Sequence, residues 1–479
     1  VSLVRLLGRA LVFRLVFRTD THMLDLVVYG ATGFTGRLVA AYLRRSAPSG
    51  LRWALAGRDA ARLEAVAAEI EAQPGLAAGV GAAPVSVLGG CDADEASAAR
   101  IAGETRAVLS TAGPFSKYSD ALVGACAAGG VSYVDINGEI PWVARVIEHH
   151  DEAARASGAL IVPNCGFDSV PSDLCALRAT RLLADGTGSA CVSVQGVMHM
   201  TGAMSGGTIE TGLEMERLYP GELRQPFRLG GASRLARGGE DPSDADPSEE
   251  RHGGGRHLAS PLLIASLACL QERYDGTLRR WLAPFGMARI NTRVVRRSAG
   301  ELDAYVNVDA SRFRYREEQL SPAGGRAAAK MAKNAAIPPE KLRALVEAGR
   351  LPKPGGGPSA EKRAASAFTA LALARAADGS AAACGLSGGD PGYDETAKMV
   401  AEAALCLVAE ERAELPAAAR GGSGVLTPAA ALGGVLERRL GGAGLVWEDG
   451  YPLGSLPGAP DEEAEAAAVE AEAVAKEAW

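Results

Sequence analysis

Paired metal ligands are missing from this sequence. Its eight cysteines, Cys91, Cys126, Cys165, Cys175, Cys191, Cys269, Cys384 and Cys406, include no CxxC pair, and its six histidines complete no ligand set. A zinc site and a disulfide framework are therefore not expected, and a reducing compartment is the default. Excess positive charge is also missing. The formal net charge is −7 over 479 residues, which argues against a nucleic-acid partner. Aromatic residues reach only 5%, a compositional bias toward alanine and glycine that carries no functional reading. No apolar run approaches the roughly 18 residues of a membrane-spanning helix. The nearest, Leu258 to Leu270, is interrupted by Pro261. It reads either as an ordinary buried helix or as a segment lying on a lipid surface through Leu262, Leu263, Ile264 and Leu267.

The chain begins at Val1 and carries Arg5, Arg9, Arg14 and Arg18 before Met23, with Asp20 its only acid there. Residues 1–22 read as an extension, either transit-peptide-like or an upstream artefact. From residue 24 short apolar runs alternate with amphipathic stretches. LDLVVYG, RWALAGR, PVSVLGG, AVLSTAG, VSYVDIN and ALIVPN read as strands, with helices between most of them. Such alternation predicts a parallel sheet with right-handed crossovers. After residue 185 the pattern changes. ACVSVQGVMHMTG, AYVNVDASRFRYRE and AFTALALARA read as strands with no regular helices between them. YDETAKMVAEAALCLVAEE and TPAAALGGVLERRLG read as helices, the second with Thr427 as N-cap and Pro428 at its first position. The expected class is α/β. A Rossmann-type domain spans 23–185. A second α/β domain, for substrate or dimerisation, spans 186–456 on a largely antiparallel sheet. A disordered insert at 230–257, a linker at 353–360 and an acidic tail at 457–479 complete the plan.

The stretch YGATGFTG follows the first strand and opens a helix, the context in which a glycine fingerprint is informative. Gly30 allows the tight turn, Gly33 lets a pyrophosphate approach the backbone, and Gly36 lets helix and strand pack closely. Free N–H groups at that helix start, around Phe34, face the phosphates. Thr32 and Thr35 add hydroxyl donors. The spacing is GxxGxxG, so the alternative is a glycine turn that merely packs. After the second strand, where an acid would hold the ribose hydroxyls of NAD, stands Arg58, suited to the 2′-phosphate of NADP(H). The alternative is a plain surface arginine, and Asp59 reads as a helix cap. Asp92 either reaches the adenine side or caps the next helix. Ala112, Gly113 and Pro114 follow the fourth strand, where small residues leave room for the cofactor.

GATGFTG, WALAGR, STAGPFSKYSDALVGAC, YVDINGE and above all NCGFDSVPSDL resemble the saccharopine dehydrogenase-like oxidoreductases, which include trans-acting enoyl reductases. The likeness spans about Asp25 to Leu445. It implies a Rossmann domain, NADP(H), oxidoreductase activity and a lipid-linked setting. The insert near 240 and the N-terminal extension depart from the family pattern. Localisation therefore stays open among cytoplasmic, lipid-droplet or membrane-associated, and organelle import. So do a peripheral lipid-surface contact and a homodimer.

Hydride transfer asks the protein for orientation, a dry pocket and sometimes a proton donor. Candidate donors fall past the parallel strands: Tyr118, Asp168 and Ser169 foremost, then Asp135, Asn137 and Glu139, each with loop hydrogen bonding or capping as the alternative. Cys165 reads as a buried small residue, since a nucleophilic thiol needs a base beside it. Arg293, Arg296 and Arg297 either hold an acidic substrate or pair structurally. The expected function is NADPH-dependent reduction of an enoyl or related unsaturated acyl group, lipid-linked. Two alternatives are saccharopine reduction and a non-catalytic NADP-binding protein at lipid surfaces. No metal is expected.

Overall fold

A computed structural model describes residues 23–73, 85–91, 93–202, 206–219, 222, 228–230, 272–309, 313–335, 337–351, 357–416 and 421–457. The N-terminal extension, Asp92, all but the first residue of the 230–257 insert, Leu258 to Leu270 and all but the first residue of the 457–479 tail lie outside the described residues.

Strand and helix alternate through the first region. The strands are β1 (Leu24–Tyr29), β2 (Trp53–Ala56), β3 (Ser86–Leu88), β4 (Thr105–Ser110), β5 (Ser132–Asp135) and β6 (Leu160–Val162). The helices are α1 (Phe34–Ser46), α2 (Ala60–Glu71), α3 (Glu95–Glu104), α4 (Phe115–Tyr118), α5 (Asp120–Gly129), α6 (Ile140–Ser157) and α7 (Val170–Thr187). Alternate residues of β1 enter different cores. Leu26 and Val28 face one apolar cluster with Val39, Leu43 and Leu63, while Val27 and Tyr29 face another with Ile101, Val123 and Trp142. A strand buried on both faces reads as a continuous apolar run, which is what LDLVVY shows.

The second region holds α8 (Gly206–Leu218), β7 (Cys191–Thr201), β8 (Arg273–Asp275), β9 (Arg280–Pro284), α9 (Ala288–Val306), β10 (Arg314–Ser321), α10 (Gly325–Ala335), α11 (Pro339–Glu347) and α12 (Ala360–Ala364). It continues through β11 (Ala367–Ala376), β12 (Ala381–Gly388), α13 (Asp394–Ala409), β13 (Gly424–Val425), α14 (Pro428–Ala431), α15 (Gly433–Gly442) and β14 (Val446–Asp449). Two seven-stranded sheets result, ordered β13-β6-β5-β4-β1-β2-β3 and β14-β12-β11-β7-β10-β9-β8. Every pairing in the first is parallel. In the second only β7 and β10 run parallel. The first sheet takes its seventh strand from residues 424–425, far along the chain.

Helix α7 joins the two sheets. It leaves the first and lies against β7, β11 and β12 of the second. Leu174 and Leu177 of α7, Ala370 and Ala372 of β11, and Met399 and Val400 of α13 share one core with Leu26 and Val28.

Two expectations for the second region need correction. Five helices, α8 to α12, interrupt its strands, where none was expected. Residues 304–306 of AYVNVDA, read as strand, finish α9, which ends at Asn307 in the left-handed region at φ 53°. Tyr and Val favour strands locally, but an amphipathic helix packed on α7 and β10 carries them along. TPAAALGGVLERRLG forms two helices, with the break beside Gly433 at φ 37°. Its cap is as expected: the Ala430 N–H donates to Thr427 Oγ1.

Candidate functional site

The three glycines of YGATGFTG meet three different surroundings. Gly30 has φ 86°, and a Cβ there would sit 2.9 Å from the Ala112 nitrogen. A Cβ on Gly36 would sit 2.5 Å from the Gly30 oxygen and 2.8 Å from Ala31 Cα. Both positions exclude a side chain. Gly33 is different: its backbone is extended, at φ −72° and ψ 165°, and its Cβ would meet only the Gly30 oxygen, at 3.3 Å. Space therefore lies open in front of Gly33. Gly33 is also the N-cap of α1 and makes no side-chain cap bond, so the first-turn N–H groups of Phe34, Thr35 and Gly36 have no intrahelical acceptor. Open space, free donors and the positive end of a helix dipole together fit a pyrophosphate. Thr32 and Thr35 stand half-buried at its rim. The Phe34 ring turns elsewhere. It packs edge-on against Tyr393 at 4.8 Å, with Arg363 over it at 5.5 Å, so Phe34 can offer a phosphate only its backbone.

Arg58 follows Gly57 at the end of β2 and is exposed. Among the described residues its guanidinium has no carboxylate partner. Asp59 caps α2 by accepting from the Arg62 N–H at 3.0 Å. The structure brings Tyr118 to this end of the sheet: the Arg58 guanidinium lies 6.0 Å from its ring centroid. Among the described residues Tyr118 makes no hydrogen bond to Asp168 or Ser169. Pro114 is the N-cap of α4, and Gly113 is exposed before it. Glu139 holds α4 in place by accepting from the Phe115 N–H at 2.6 Å and the Ser116 N–H at 2.9 Å.

The loops after β5 and β6 are tied together by buried polar bonds. Asp135 Oδ1 accepts from Asn137 Nδ2 at 2.6 Å, the Asn137 N–H at 3.1 Å and the Asn164 N–H at 3.0 Å. Tyr133 donates to its other oxygen at 3.1 Å. Burial pushes the Asp135 carboxyl up to about 6, against the pull of these bonds. Asn164 sits at φ 63° and donates from Nδ2 to the Asn137 carbonyl at 2.7 Å. Asp135, Asn137 and Glu139 thus brace the loops. Cys165 is fully buried, donates to the Val162 carbonyl at 3.2 Å, and has its thiol pushed well up by burial. It is a packing residue, as expected.

Asp168 stands apart from this frame. It is half-buried, and burial alone pushes its carboxyl up to about 6. No hydrogen bond to it is made among the described residues. Its Oδ2 lies over Gly138, where a Cβ would come within 3.3 Å. Ser169 is buried beside it with a long 3.5 Å contact from its Oγ to Asn291 Oδ1. Asn291 Nδ2 donates to Glu317 Oε2 at 2.8 Å, and Ser172 donates to the other Glu317 oxygen. This chain joins the loop after β6 to α9 and β10 of the second sheet. Asn291, Ser172 and Glu317 were not singled out from the sequence. The signal for Glu317 was available: in RYREEQLS it alternates onto the same buried face as Tyr315. Arg293, Arg296 and Arg297 turn back into the protein. Arg293 donates to the Arg289 carbonyl and Arg296 to the Tyr315 carbonyl. Arg297 donates to the Leu229 and Val425 carbonyls and pairs with Glu301.

Residues 26–162 match the saccharopine dehydrogenase NADP binding domain. Over 447 residues the chain is 32% identical to a protein named trans-acting enoyl reductase in Mycobacterium tuberculosis, covering 88% of this chain and 96% of that one. The chain belongs to the saccharopine dehydrogenase-like oxidoreductases. A Mycobacterium leprae protein, also named trans-acting enoyl reductase, is 32% identical over 89% of this chain and 98% of its own. Another M. tuberculosis relative is 34% identical over 441 residues. Among solved structures, a saccharopine dehydrogenase from Saccharomyces cerevisiae aligns at TM-score 0.43 and 12% identity, over 89% of this chain and 99% of that one. The cofactor of this family's N-terminal domain is NADP(H), and the chain is an oxidoreductase. Among the described residues no helix is long and apolar enough to cross a membrane, and no group of three or more His, Cys, Asp or Glu could hold a metal.

Proposed function

We propose that this protein reduces the carbon–carbon double bond of an enoyl group, presented as a thioester on a lipid-linked acyl chain, using NADPH. The observation that carries the reading is Asp168: a half-buried carboxyl with a raised pKa and no hydrogen-bond partner among the described residues, in the loop at the carboxyl end of β6. Ligands of open α/β sheets bind at that edge. The relatives' name supplies the reaction class.

Gly33 leaves room for the pyrophosphate, the first turn of α1 donates to it, and Arg58 takes the 2′-phosphate. Gly30 and Gly36 shape the turn, and Ala112, Gly113 and Pro114 line the path from the pyrophosphate to the reacting end. When bound, NADPH supplies the hydride, which goes to the carbon β to the thioester carbonyl. Asp168 in its protonated form donates the proton that the α-carbon must gain, and Ser169, buried behind it, ties the loop to α9 through Asn291. A carboxyl near 6 is still partly protonated near neutrality, the condition for a general acid.

The test is NADPH oxidation, followed by absorbance, with a panel of enoyl thioesters of increasing chain length and with saccharopine precursors alongside. Oxidation by the enoyl thioesters alone is expected. Turnover of the saccharopine precursors alone would overturn the substrate class, and cofactor binding without any oxidation would favour a non-catalytic role.

A further inference from the structure

Two cations meet at one ring on the adenosine side of the sheet. The Lys117 ammonium lies 5.0 Å from the Tyr118 ring centroid, and the Arg58 guanidinium lies 6.0 Å from the same centroid. Both distances fall within the reach of a cation–π contact. Neither cation has a carboxylate within ion-pair distance among the described residues. Arg37, in the first turn of α1 near this edge, is paired with Glu69. Glu214 on α8 feels the Lys117 charge, but both of its oxygens accept from Arg217, at 2.9 and 2.6 Å. Unpaired cations held together would repel one another, so their meeting at one ring points to an anion as the missing partner.

We infer that Lys117 and Tyr118 complete the cofactor's adenosine site: Lys117 is a second ligand of the 2′-phosphate beside Arg58, and the Tyr118 ring stacks on the adenine. The inference rests on the reading of this edge as the NADPH site. The short helix α4 carries both residues from β4 back toward the end of β2. Its first turn is pinned by the Glu139 carboxylate through the Phe115 and Ser116 N–H groups, so the clamp stands in place before the cofactor arrives. Two cations around one dianion also fit an arginine, and not an acid, at position 58 after β2. Tyr118 is then a binding residue at the adenosine end, and the proton donor is Asp168.

The test compares dissociation constants for NADPH and NADH, read by the fluorescence of the reduced nicotinamide, in the intact chain and three variants. Lys117→Met is expected to weaken NADPH about tenfold, the scale of one charge-assisted hydrogen bond, while NADH stays within about twofold. Tyr118→Ala is expected to weaken both cofactors alike by about tenfold, as loss of a base stack does. Arg58→Ala should remove most of the preference for NADPH. Lys117 is exposed, so its variant should melt as the parent does, and a thermal melt confirms that each variant is folded. If Lys117→Met leaves NADPH binding unchanged or weakens both cofactors equally while Arg58→Ala still removes the preference, the clamp is wrong and the cofactor site stands. If Arg58→Ala also has no effect, the assignment of the edge itself fails.

Discussion

The carboxyl edge of the first sheet is built in two styles. Past β1, β2 and β4 it is bare among the described residues: a Cβ on Gly33 would meet only the Gly30 oxygen, the first-turn N–H groups of α1 lack an intrahelical acceptor, and Arg58 and Lys117 have no carboxylate within ion-pair distance. Past β5 and β6 it is crowded. Asp135, Asn137, Asn164 and Glu139 satisfy one another and the surrounding backbone, while Asp168 makes no hydrogen bond among the described residues. The bare half is shaped for a ligand that brings its own charge. The crowded half fixes one carboxyl in a low-dielectric setting and raises its pKa. Preorganisation is cheap where donors merely wait, and it needs a satisfied network where a single group must stay unsatisfied.

The largest effect should come from breaking the bare half at its most open point. Gly33→Val fits the extended backbone and its Cβ meets only the Gly30 oxygen, at 3.3 Å, so the variant should fold. Its side chain would stand in the pyrophosphate's space, and NADPH titration should show binding weakened by at least about 100-fold. Gly36→Val sharpens the contrast: its Cβ would collide with Gly30 and Ala31, so this variant should lose the fold itself. A Gly33→Val protein that binds NADPH normally would mean that the open space is not the phosphate site.

In the crowded half, Asp168→Asn should cut turnover by roughly 10²-fold, the scale of a positioned acid, while NADPH affinity stays within about tenfold. The pH profile carries the sign. With its carboxyl at about 6, the acid form is lost as pH rises, so the turnover of the parent should fall above about pH 6 and that of the variant should be flat there. Normal turnover in Asp168→Asn would make the loop structural.

The same half was only partly legible in the sequence. The alternation of apolar runs and the glycine turn revealed the parallel sheet, because a strand buried on both faces and a helix opened by glycines are local patterns. DINGE and NCGFDS stood out as polar residues past strand ends, but nothing local said which of them would bond to one another. Asn164 reaches Asn137 across two strands. Asn291 and Glu317 arrive from the other sheet, so the support of Ser169 is a fact of tertiary packing. Likewise β13 adds two residues to a sheet that ended, by sequence, some 260 residues earlier at β6. Tyr118 was recognisable as a candidate; its neighbour Arg58 was not recognisable as its partner.

Two smaller effects measure the frame itself. Asp135→Ala leaves three buried donor groups of Asn137 and Asn164 without their acceptor. It should cost about 3 kcal/mol or more in denaturant unfolding, since each stranded buried group costs about 1–3 kcal/mol. A loss under about 1 kcal/mol would mean that the network is ornamental. Asp173 gives the mildest signal. It is buried in α7, accepts from the Ala429 N–H at 2.8 Å, and is pushed up to about 7 by burial. A folded pKa above the unfolded value near 3.8 means that its contribution is fully present below that value and is lost as pH rises through about 7. The melting temperature of the parent should therefore fall between pH 5 and pH 8 by a few degrees more than that of Asp173→Asn. Equal slopes would contradict the raised pKa.

The central claim is that the bare half binds NADPH and hands its reacting end to Asp168 in the crowded half. A crystal structure with NADPH tests it most directly. The account predicts the pyrophosphate on the first-turn N–H groups of α1 in front of Gly33, the 2′-phosphate at Arg58, and the nicotinamide ring beside Asp168 with no side chain between them. A nicotinamide turned away from the Asp168 loop, or a pyrophosphate bound anywhere but at Gly33, would contradict it.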